Sequence, residues 1–252
     1  MIGALREHGL RKQGGLVRSL AIYRARPWRI ARLAKFYGGI VAEGDLAFDI
    51  GAHVGNRTRA LLRAGARVVA VEPQAIFHDF LARDLPAGTT LLRAAVGAET
   101  GSARMAVSRL HPTVSSLAPG FADRMAAAPG FRHVRWDDGE DVEMTTLDAL
   151  IHGQGMPRFV KIDVEGFEAD VLAGLNRPVP WVAFEYLAAD LACSRACVAR
   201  LAELGPYRFN FVVGEGDAFA APDWLTGNEV VAAVERAGTR TCGDIYARLA
   251  RD

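Results

Sequence analysis

Short apolar runs alternate with amphipathic stretches through the middle of the chain. LAFDI at 46–50 and RVVAVEP at 67–73 predict buried strands, and NRTRALLRA at 56–64 predicts the helix between them. A second helix is predicted at 75–85 and a third strand, TTLLRAAVG, at 89–97. Because strands and helices alternate, we predict an α/β fold with a mostly parallel central sheet and helices on both of its faces.

The same alternation returns after an interruption. Strands are predicted at 158–166, 181–187, 207–213 and 243–249, and helices at 145–150, 167–175 and 188–204. Residues 98–144 lack a period and are rich in Gly, Pro and Ser. In a compact domain, an irregular stretch of that length predicts a substrate loop or lid.

Basic residues are concentrated near the N-terminus. Residues 1–35 contain nine Arg or Lys and the single acid Glu7, which leaves 21 bases and 28 acids in the rest of the chain. We therefore divide the chain into a basic N-terminal helical arm, 1–44, and a larger domain, 45–252. We expect the arm to make peripheral contact with an anionic membrane surface or, alternatively, to pack on the domain as an amphipathic helix. Since the domain is net acidic, no nucleic-acid partner is expected.

The cysteines and the apolar runs bear on the compartment. Cys193, Cys197 and Cys242 are too few, and odd in number, for a disulfide framework, which indicates a reducing environment. No apolar run approaches the ~18–20 residues of a membrane span, and the N-terminus does not have the pattern of a secretory signal. A cytoplasmic protein is therefore expected, and the sequence is compatible with an oligomer.

Acidic residues stand at the carboxyl ends of four predicted strands. They are Asp49, Glu72, Asp163 with Glu165, and Glu185. Open parallel sheets bind ligands beyond these strand ends, so we expect the acids to meet at one rim. The alternative is that each acid caps the helix that follows it, which would explain one or two of them but not the set.

The glycine spacing after the first strand narrows the choice of ligand. A dinucleotide fingerprint reads G-x-G-x-x-G, but here Gly51 and Gly55 are four residues apart and His53 holds the middle position. The side chain of His53 and the charge of Asp49 would both disfavour a pyrophosphate. S-adenosylmethionine, a nucleoside with a sulfonium cation and no phosphates, fits better, and Glu72 is placed to hold its ribose hydroxyls.

Five motifs resemble those of one family. DIGAHVGN (49–56), VEP (71–73), SSL (115–117), TTLDAL (145–150) and VKIDVEGFEADVLAGL (160–175) are similar to those of the FkbM-type methyltransferases. The resemblance spans about residues 45–187 and implies the Rossmann-like fold of the class I S-adenosylmethionine-dependent methyltransferases. One position departs from the family's D-x-G-A-N-x-G loop, since His53 stands in place of the asparagine.

The resemblance also implies roles for the matched residues. Cofactor contacts are implied for Asp49, Gly51, His53, Gly55, Asn56, Glu72, Pro73, Gln74, Ala95, Val96, Ser116 and Asp163. The implied reaction is transfer of a methyl group from S-adenosylmethionine to a hydroxyl of a sugar, glycan, glycolipid or natural-product acceptor.

An alcohol must lose its proton during methyl transfer, so a general base is expected. The candidates are Glu165, Asp163, Glu185 and His111. A carboxylate of the DVEG stretch is favoured, whereas His111 has the alternative of an exposed loop histidine. No metal site is predicted, although an acidic rim would alternatively suit a divalent cation that ionises the hydroxyl. Lys161 is expected to be structural or at the surface.

Two other functions stay open from the sequence alone. One is a nicotinamide-dependent oxidoreductase, which the missing third glycine and His53 disfavour. The other is a non-catalytic Rossmann-like binding module, which the substitution at His53 leaves open. Titration with the nicotinamide cofactor and with S-adenosylmethionine distinguishes the oxidoreductase from a methyltransferase. Methylation of a hydroxylated acceptor distinguishes the methyltransferase from a non-catalytic binding module.

Overall fold

The structure, a computed structural model, describes residues 14–23, 28–127, 133–187, 191–238 and 242–250. The first part of the basic arm and the first three residues of the helix predicted at 188–204 lie outside these ranges. Within the ranges, no helix combines the length and the apolar character needed to cross a membrane.

Two β-sheets form in the described part of the chain. The strands are β1 (Leu46–Ile50), β2 (Arg67–Val71), β3 (Thr90–Leu92), β4 (Ala95–Val96), β5 (Gly101–Val107), β6 (Asp138–Thr145), β7 (Phe159–Ile162), β8 (Trp181–Leu187), β9 (Tyr207–Val213) and β10 (Cys242–Leu249). The large sheet has the order β3-β2-β1-β7-β8-β10-β9, and the small sheet has the order β4-β6-β5. In the large sheet β10 runs antiparallel to β8 and β9, and the other pairings are parallel. The prediction of a mostly parallel central sheet is confirmed.

Helices cover both faces of the large sheet. They are α1 (14–23), α2 (Trp28–Tyr37), α3 (Asn56–Arg63), α4 (Ala75–Asp84), α5 (Phe121–Ala127), α6 (Leu147–Gln154), α7 (Glu168–Ala173), α8 (Leu191–Leu204) and α9 (Gly227–Arg236). Tyr37 of α2 and Leu61 of α3 pack in the core on one face. Ile151 of α6, Leu201 of α8 and Val234 of α9 pack in the core on the other. The central strands are therefore apolar on both sides, which is why they read as continuous apolar runs.

The prediction of an irregular stretch at 98–144 is wrong in part, because the stretch contains two strands of the small sheet. β5 and β6 pair antiparallel. Met105 and Val107 of β5 pack with Val142 of β6 in a small core of their own. Arg104 of β5 and Asp141 and Glu143 of β6 are the exposed polar neighbours of these core residues. The alternation of buried and exposed positions is therefore short, and the Gly and Pro residues around it mask it.

The third strand, predicted at 89–97, is two strands that belong to different sheets. β3 pairs with β2 in the large sheet, whereas β4 pairs with β6 in the small one. Arg93 and Ala94 carry the chain from one sheet to the other. A change of sheet depends on tertiary partners, and an apolar run gives no sign of it.

The elements of the second half of the chain agree with the prediction for the strands and differ from it for two helices. The helix predicted at 145–150 starts later, because Thr146 is its N-cap and accepts a hydrogen bond from Ala149 N at 3.1 Å. The strands predicted at 181–187 and 207–213 and the final strand are confirmed. The sequence pattern does not predict α9, although Thr226 and Glu229 form a capping box at its start.

The described second half of the basic arm packs on the domain. Leu33, Ala34 and Tyr37 of α2 are buried against α3 and the sheet. The basic face of α2 points outward, where Arg32 forms an ion pair with Asp217. α2 is therefore an amphipathic helix whose apolar side completes the core.

The order of the strands reverses between β1 and β7, and the ends of these two strands approach closely. Gly51, directly after β1, has a φ of 84°. A Cβ at this position would overlap the carbonyl oxygen of Asp163, directly after β7. Glycine is therefore needed at position 51 both for its backbone conformation and for space.

Replacing Gly51 tests this close approach. Gly51→Ala is expected to lose about 1–2 kcal/mol for its left-handed conformation and about 1–3 kcal/mol more for the overlap with Asp163. Gly44→Ala is the matched control, since Gly44 has a φ of 81° but no atom within 4 Å of the added Cβ. Urea unfolding measures both losses, and equal losses for the two variants would contradict the assignment.

Candidate active site

A cavity lies over the carboxyl ends of β1, β2 and β7, where the strand order reverses. Most of the predicted cofactor residues line it: Gly51, His53, Asn56, Glu72, Pro73, Gln74, Ala95, Val96, Ser116 and Asp163. Glu165 also lines it, together with Tyr23, Arg57 and Glu215, which lie outside the five motifs of the sequence. Asp49 and Gly55 are buried behind this lining.

Alternate residues of the loop 51–55 have left-handed backbones. The φ angles are 84° at Gly51, 49° at His53 and 80° at Gly55. The conformation of His53, unusual for a residue with a Cβ, is held because its N–H donates to Glu72 Oε2 at 2.8 Å. The loop after β1 is thereby tied to the end of β2.

Glu72 is 3% exposed and satisfies one lone pair on each of its carboxylate oxygens within the protein. Oε2 accepts from His53 N, and Oε1 accepts from Gln74 N at 2.9 Å. Each oxygen keeps a second lone pair, so the carboxylate offers two acceptors side by side to the cavity. Burial raises the pKa of Glu72 to about 7, and the backbone hydrogen bonds from Gln74 and His53 oppose the rise.

Asp49 lies behind the glycine loop instead of on the cavity wall. Its Oδ2 accepts a hydrogen bond from Thr58 of α3. Burial raises the pKa of Asp49, and the hydrogen bond from Thr58 opposes the rise. Asp49 therefore fixes α3 against the end of β1.

The ring of His53 joins the glycine loop to α1. His53 Nε2 is 3.1 Å from Ser19 Oγ, and the ring centroid lies 5.3 Å from that of Tyr23 and 4.2 Å from that of Phe77. Burial lowers the pKa of His53 to about 3, so the ring is neutral at physiological pH. Asn56 Nδ2 also donates to the carbonyl of Tyr23 at 3.2 Å. α1 therefore covers one side of the cavity, a contribution that no motif in the sequence signals.

The loop after β7 is held in place from two sides. Glu168 Oε1 accepts from Val164 N at 3.1 Å and from Gly166 N at 3.2 Å. Ser116 Oγ donates to the carbonyl of Glu165 at 2.7 Å. These bonds fix a left-handed turn at Glu165, where φ is 55°. The last acid of the KIDVEGFE motif thus stabilises the turn that presents the earlier two.

Three carboxylates meet at this end of the cavity, and we call Asp163, Glu165 and Glu185 the acid trio. One oxygen from each lies within 4.8 Å of the others. Burial raises the pKa of Glu165 and of Glu185 well above the ordinary value, and the neighbouring carboxylates add to the rise. A carboxylate with a raised pKa is a stronger base than one in water. The spacing would also suit a hard cation, but acid clusters commonly lack one, and we assign none.

A second cavity, of about 370 Å³, lies beside the acid trio. It is lined by Phe121, Arg124, Gly166, Glu168, Glu185, Leu187, Ala192, Cys193 and Ser194. Glu185 lines the second cavity, whereas Asp163 and Glu165 line the first. Ligands in the two cavities would therefore meet at the trio.

His111, the remaining candidate base, lines neither of these two cavities. Its ring packs edge-on against that of His133, with 4.9 Å between the centroids. Burial lowers the pKa of His111, and the nearby charge of Arg18 acts in the same direction. The structure does not bring His111 into the acid trio.

The model of the methyltransferase FkbM domain matches residues 49–189, more than half of the chain. The chain belongs to the FkbM methyltransferase family. S-adenosylmethionine is therefore the cofactor of this domain, and the predicted family and cofactor are confirmed.

Other proteins resemble the chain over shorter stretches or more weakly. Ribosomal RNA small subunit methyltransferase A of Caulobacter vibrioides is 48% identical over 54 residues, which are 21% of this chain and 19% of that protein. Precorrin-6y C5,15-methyltransferase of Geobacter metallireducens has 13% identity and a TM-score of 0.45, over 88% of this chain and 86% of that chain. A TehB-like SAM-dependent methyltransferase of Corynebacterium glutamicum has 11% identity and a TM-score of 0.44, over 92% and 99%.

The cavity has two features that fit S-adenosylmethionine. The paired acceptors of Glu72 suit the two hydroxyls of its ribose. Asn56 Oδ1 is buried and has no hydrogen-bond partner among the described residues. An acceptor of this kind in the cavity wall suits the ammonium group of the methionine part.

The raised pKa of Glu72 predicts a pH-dependent affinity for S-adenosylhomocysteine. Ribose hydroxyls donate to the charged carboxylate, so binding releases the proton that Glu72 carries below pH 7. The affinity should rise roughly tenfold per pH unit up to about pH 7 and level off above it.

Calorimetric titration between about pH 5 and pH 8 measures this effect. Glu72→Gln should bind about 1.5–3 kcal/mol more weakly at pH 8 and lose the pH dependence. A wild-type affinity that stays constant across the range would refute the role of Glu72.

Proposed function

We propose that the protein is an O-methyltransferase that uses S-adenosylmethionine to methylate a hydroxyl of a sugar, glycan, glycolipid or natural-product acceptor. The observation that carries this proposal is the acid trio between the two cavities. Basic carboxylates are thereby available beside the end of the cofactor cavity, where a hydroxyl would have to give up its proton.

The reaction needs positioning and one proton transfer. Bound S-adenosylmethionine supplies an electrophilic methyl group, and the electron pair of the C–S bond leaves with the sulfur. The walls of the second cavity would hold the acceptor hydroxyl beside the acid trio, next to the end of the cofactor cavity. Glu165 or Glu185 accepts the hydroxyl proton as the oxygen bonds to the methyl carbon. The raised pKa of both groups favours this transfer.

The second cavity favours a polyhydroxylated acceptor. Glu185 offers carboxylate oxygens that can accept hydrogen bonds from adjacent hydroxyls. Phe121 offers an aromatic ring for the apolar face of a sugar, and Arg124 lies beside it. The net acidic domain disfavours a nucleic-acid acceptor.

Conservative variants of the trio test the role of the base. Glu165→Gln or Glu185→Gln should lower kcat by about 10²–10⁴-fold for the residue that accepts the proton. The affinity for S-adenosylhomocysteine, which needs no base, should hardly change. Glu143→Gln is the control, since Glu143 is an exposed acid on β6.

The assay follows labelled methyl groups from S-adenosylmethionine into sugars, glycolipids, phenolic compounds, amines and RNA. A product with the methyl group on oxygen is expected, with equal rates in the presence and absence of EDTA. Methylation of an amine or of RNA, or the loss of all transfer in EDTA, would overturn the corresponding part of the proposal.

We also propose that the basic arm contacts anionic lipid at the cytoplasmic face of a membrane. Val17 is 64% exposed, Ile22 is 47% exposed and Trp28 is 60% exposed. These apolar side chains lie within the segment 1–35, which carries nine bases. Exposed apolar groups among bases suit the interface of an anionic bilayer.

Co-sedimentation with vesicles tests this contact. The protein should bind vesicles that contain phosphatidylglycerol and should ignore vesicles of phosphatidylcholine alone. The triple variant Val17→Ser, Ile22→Ser, Trp28→Ser should bind at least about tenfold more weakly. Val213→Ser, which changes an exposed valine on β9, should bind as the wild type does. Equal binding to vesicles with and without phosphatidylglycerol would contradict the proposal.

A further inference from the structure

Lys161 is a fully buried lysine beside the acid trio, so of the two expectations for it, a structural role or a surface position, the surface position is wrong. Its side chain is 0% exposed, and Nζ lies 3.3 Å from Asp163 Oδ2 and 3.0 Å from Asp244 Oδ1. Nζ also donates to the carbonyl of Ile162 at 2.9 Å. An ammonium group has three donors, so all of its donors have partners.

Asp244 comes from β10, outside the segment that the family model matches. Its Oδ2 lies 3.3 Å from Arg57 Nη2, so two cations hold it. Lys161 and Arg57 together lower the pKa of Asp244, although burial alone would raise it. Asp244 is also the direct cross-strand neighbour of Glu185 in the trio.

The charge of Lys161 acts on the trio as well as on its two ion-pair partners. Burial and neighbouring carboxylates raise the pKa of Glu165 and of Glu185, and Lys161 opposes the rise in both. Asp163 and Asp244 in turn raise the pKa of Lys161, although burial alone would lower it, so the lysine stays charged.

Other titratable side chains lie around the trio and its ion-pair partners. They are Tyr23 from α1, Asp49 from β1, Arg57 from α3, Glu168 from α7, Cys193 from α8, Glu215 after β9, and Cys242 and Asp244 from β10. Arg57 and Lys161 are the two basic groups among these described neighbours. Lys161 is the one paired directly with a member of the trio.

We propose that Lys161, held in place by Asp244, is a positioning residue that orients Asp163 and sets the charge of the acid trio at the methyl end of the cofactor. This assignment rests on the proposed function only in that the trio faces the transferred methyl group. A buried ion pair with a merely structural role would stabilise the sheet without changing the charge that the cofactor meets.

Comparing the binding of the cofactor with the binding of its demethylated product measures the charge of the trio without any acceptor. S-adenosylmethionine carries a sulfonium cation, and S-adenosylhomocysteine has a neutral sulfur in its place. The ratio of their affinities for the full chain reports the negative charge at the methyl end, and effects at the ribose cancel in it. In the wild type, the preference for S-adenosylmethionine should rise with pH as the carboxyls of the trio ionise.

Substitutions of Lys161 and of Asp244 should shift the midpoint of this pH dependence in opposite directions. Lys161→Met removes a positive charge, so the midpoint should shift to higher pH by roughly one unit. Asp244→Asn removes a negative charge, so the midpoint should shift to lower pH. Lys161→Arg keeps the charge and should restore the wild-type midpoint to within a few tenths of a unit.

Calorimetric titrations from about pH 5 to pH 9 give the midpoints, and binding of S-adenosylhomocysteine reports whether each variant is folded. An unmoved midpoint in a Lys161→Met protein that still binds S-adenosylhomocysteine would overturn the proposal. If Lys161→Met does not fold, an unmoved midpoint in Asp244→Asn overturns it equally. A failure to find a hydroxyl acceptor would refute the proposed function and leave these binding results standing.

Discussion

Buried negative charge at one rim of the large sheet is the constraint on which the rest of the structure depends. The site needs acids at the ends of strands that are otherwise apolar, and a buried carboxylate requires compensation. Glu72 and Glu168 receive it from backbone N–H groups in the two loops they organise. Asp49 receives it from Thr58, and the partly exposed Asp163 forms an ion pair with Lys161. The loops, α3 and the buried lysine therefore take the place of water around these acids.

The large sheet and most of the cofactor residues were predictable because their signals are local. A central strand is a short apolar run, and an acid or glycine at its end marks the ligand rim, as at Asp49 with Gly51 and at Glu72. The small sheet was missed because β5 and β6 are half exposed and stabilise each other. The break between β3 and β4 was missed because it reflects a change of partner and not a change of composition.

The parts of the site that come from distant elements could not be predicted. Ser19 and Tyr23 reach the glycine loop from α1, and nothing in their local sequence distinguishes them from other residues of an amphipathic helix. Lys161 interrupts an apolar run, where a lysine would lack a partner, and its burial is explained by Asp244, which stands beside it across the sheet. Such pairings are properties of the folded chain, as is the meeting of Glu185 with the loop after β7.

The contact between His53 and α1 has a consequence for local unfolding of the domain. The ring bonds to Ser19, and the N–H of the same residue bonds to Glu72. Short helices at the edge of a domain fray at lower free-energy cost than a central sheet unfolds. When α1 detaches, the ring of His53 loses its contacts with Ser19 and Tyr23, and the nucleoside loses part of its binding site. Mild heating or denaturant should therefore expel the nucleoside while the strands remain intact.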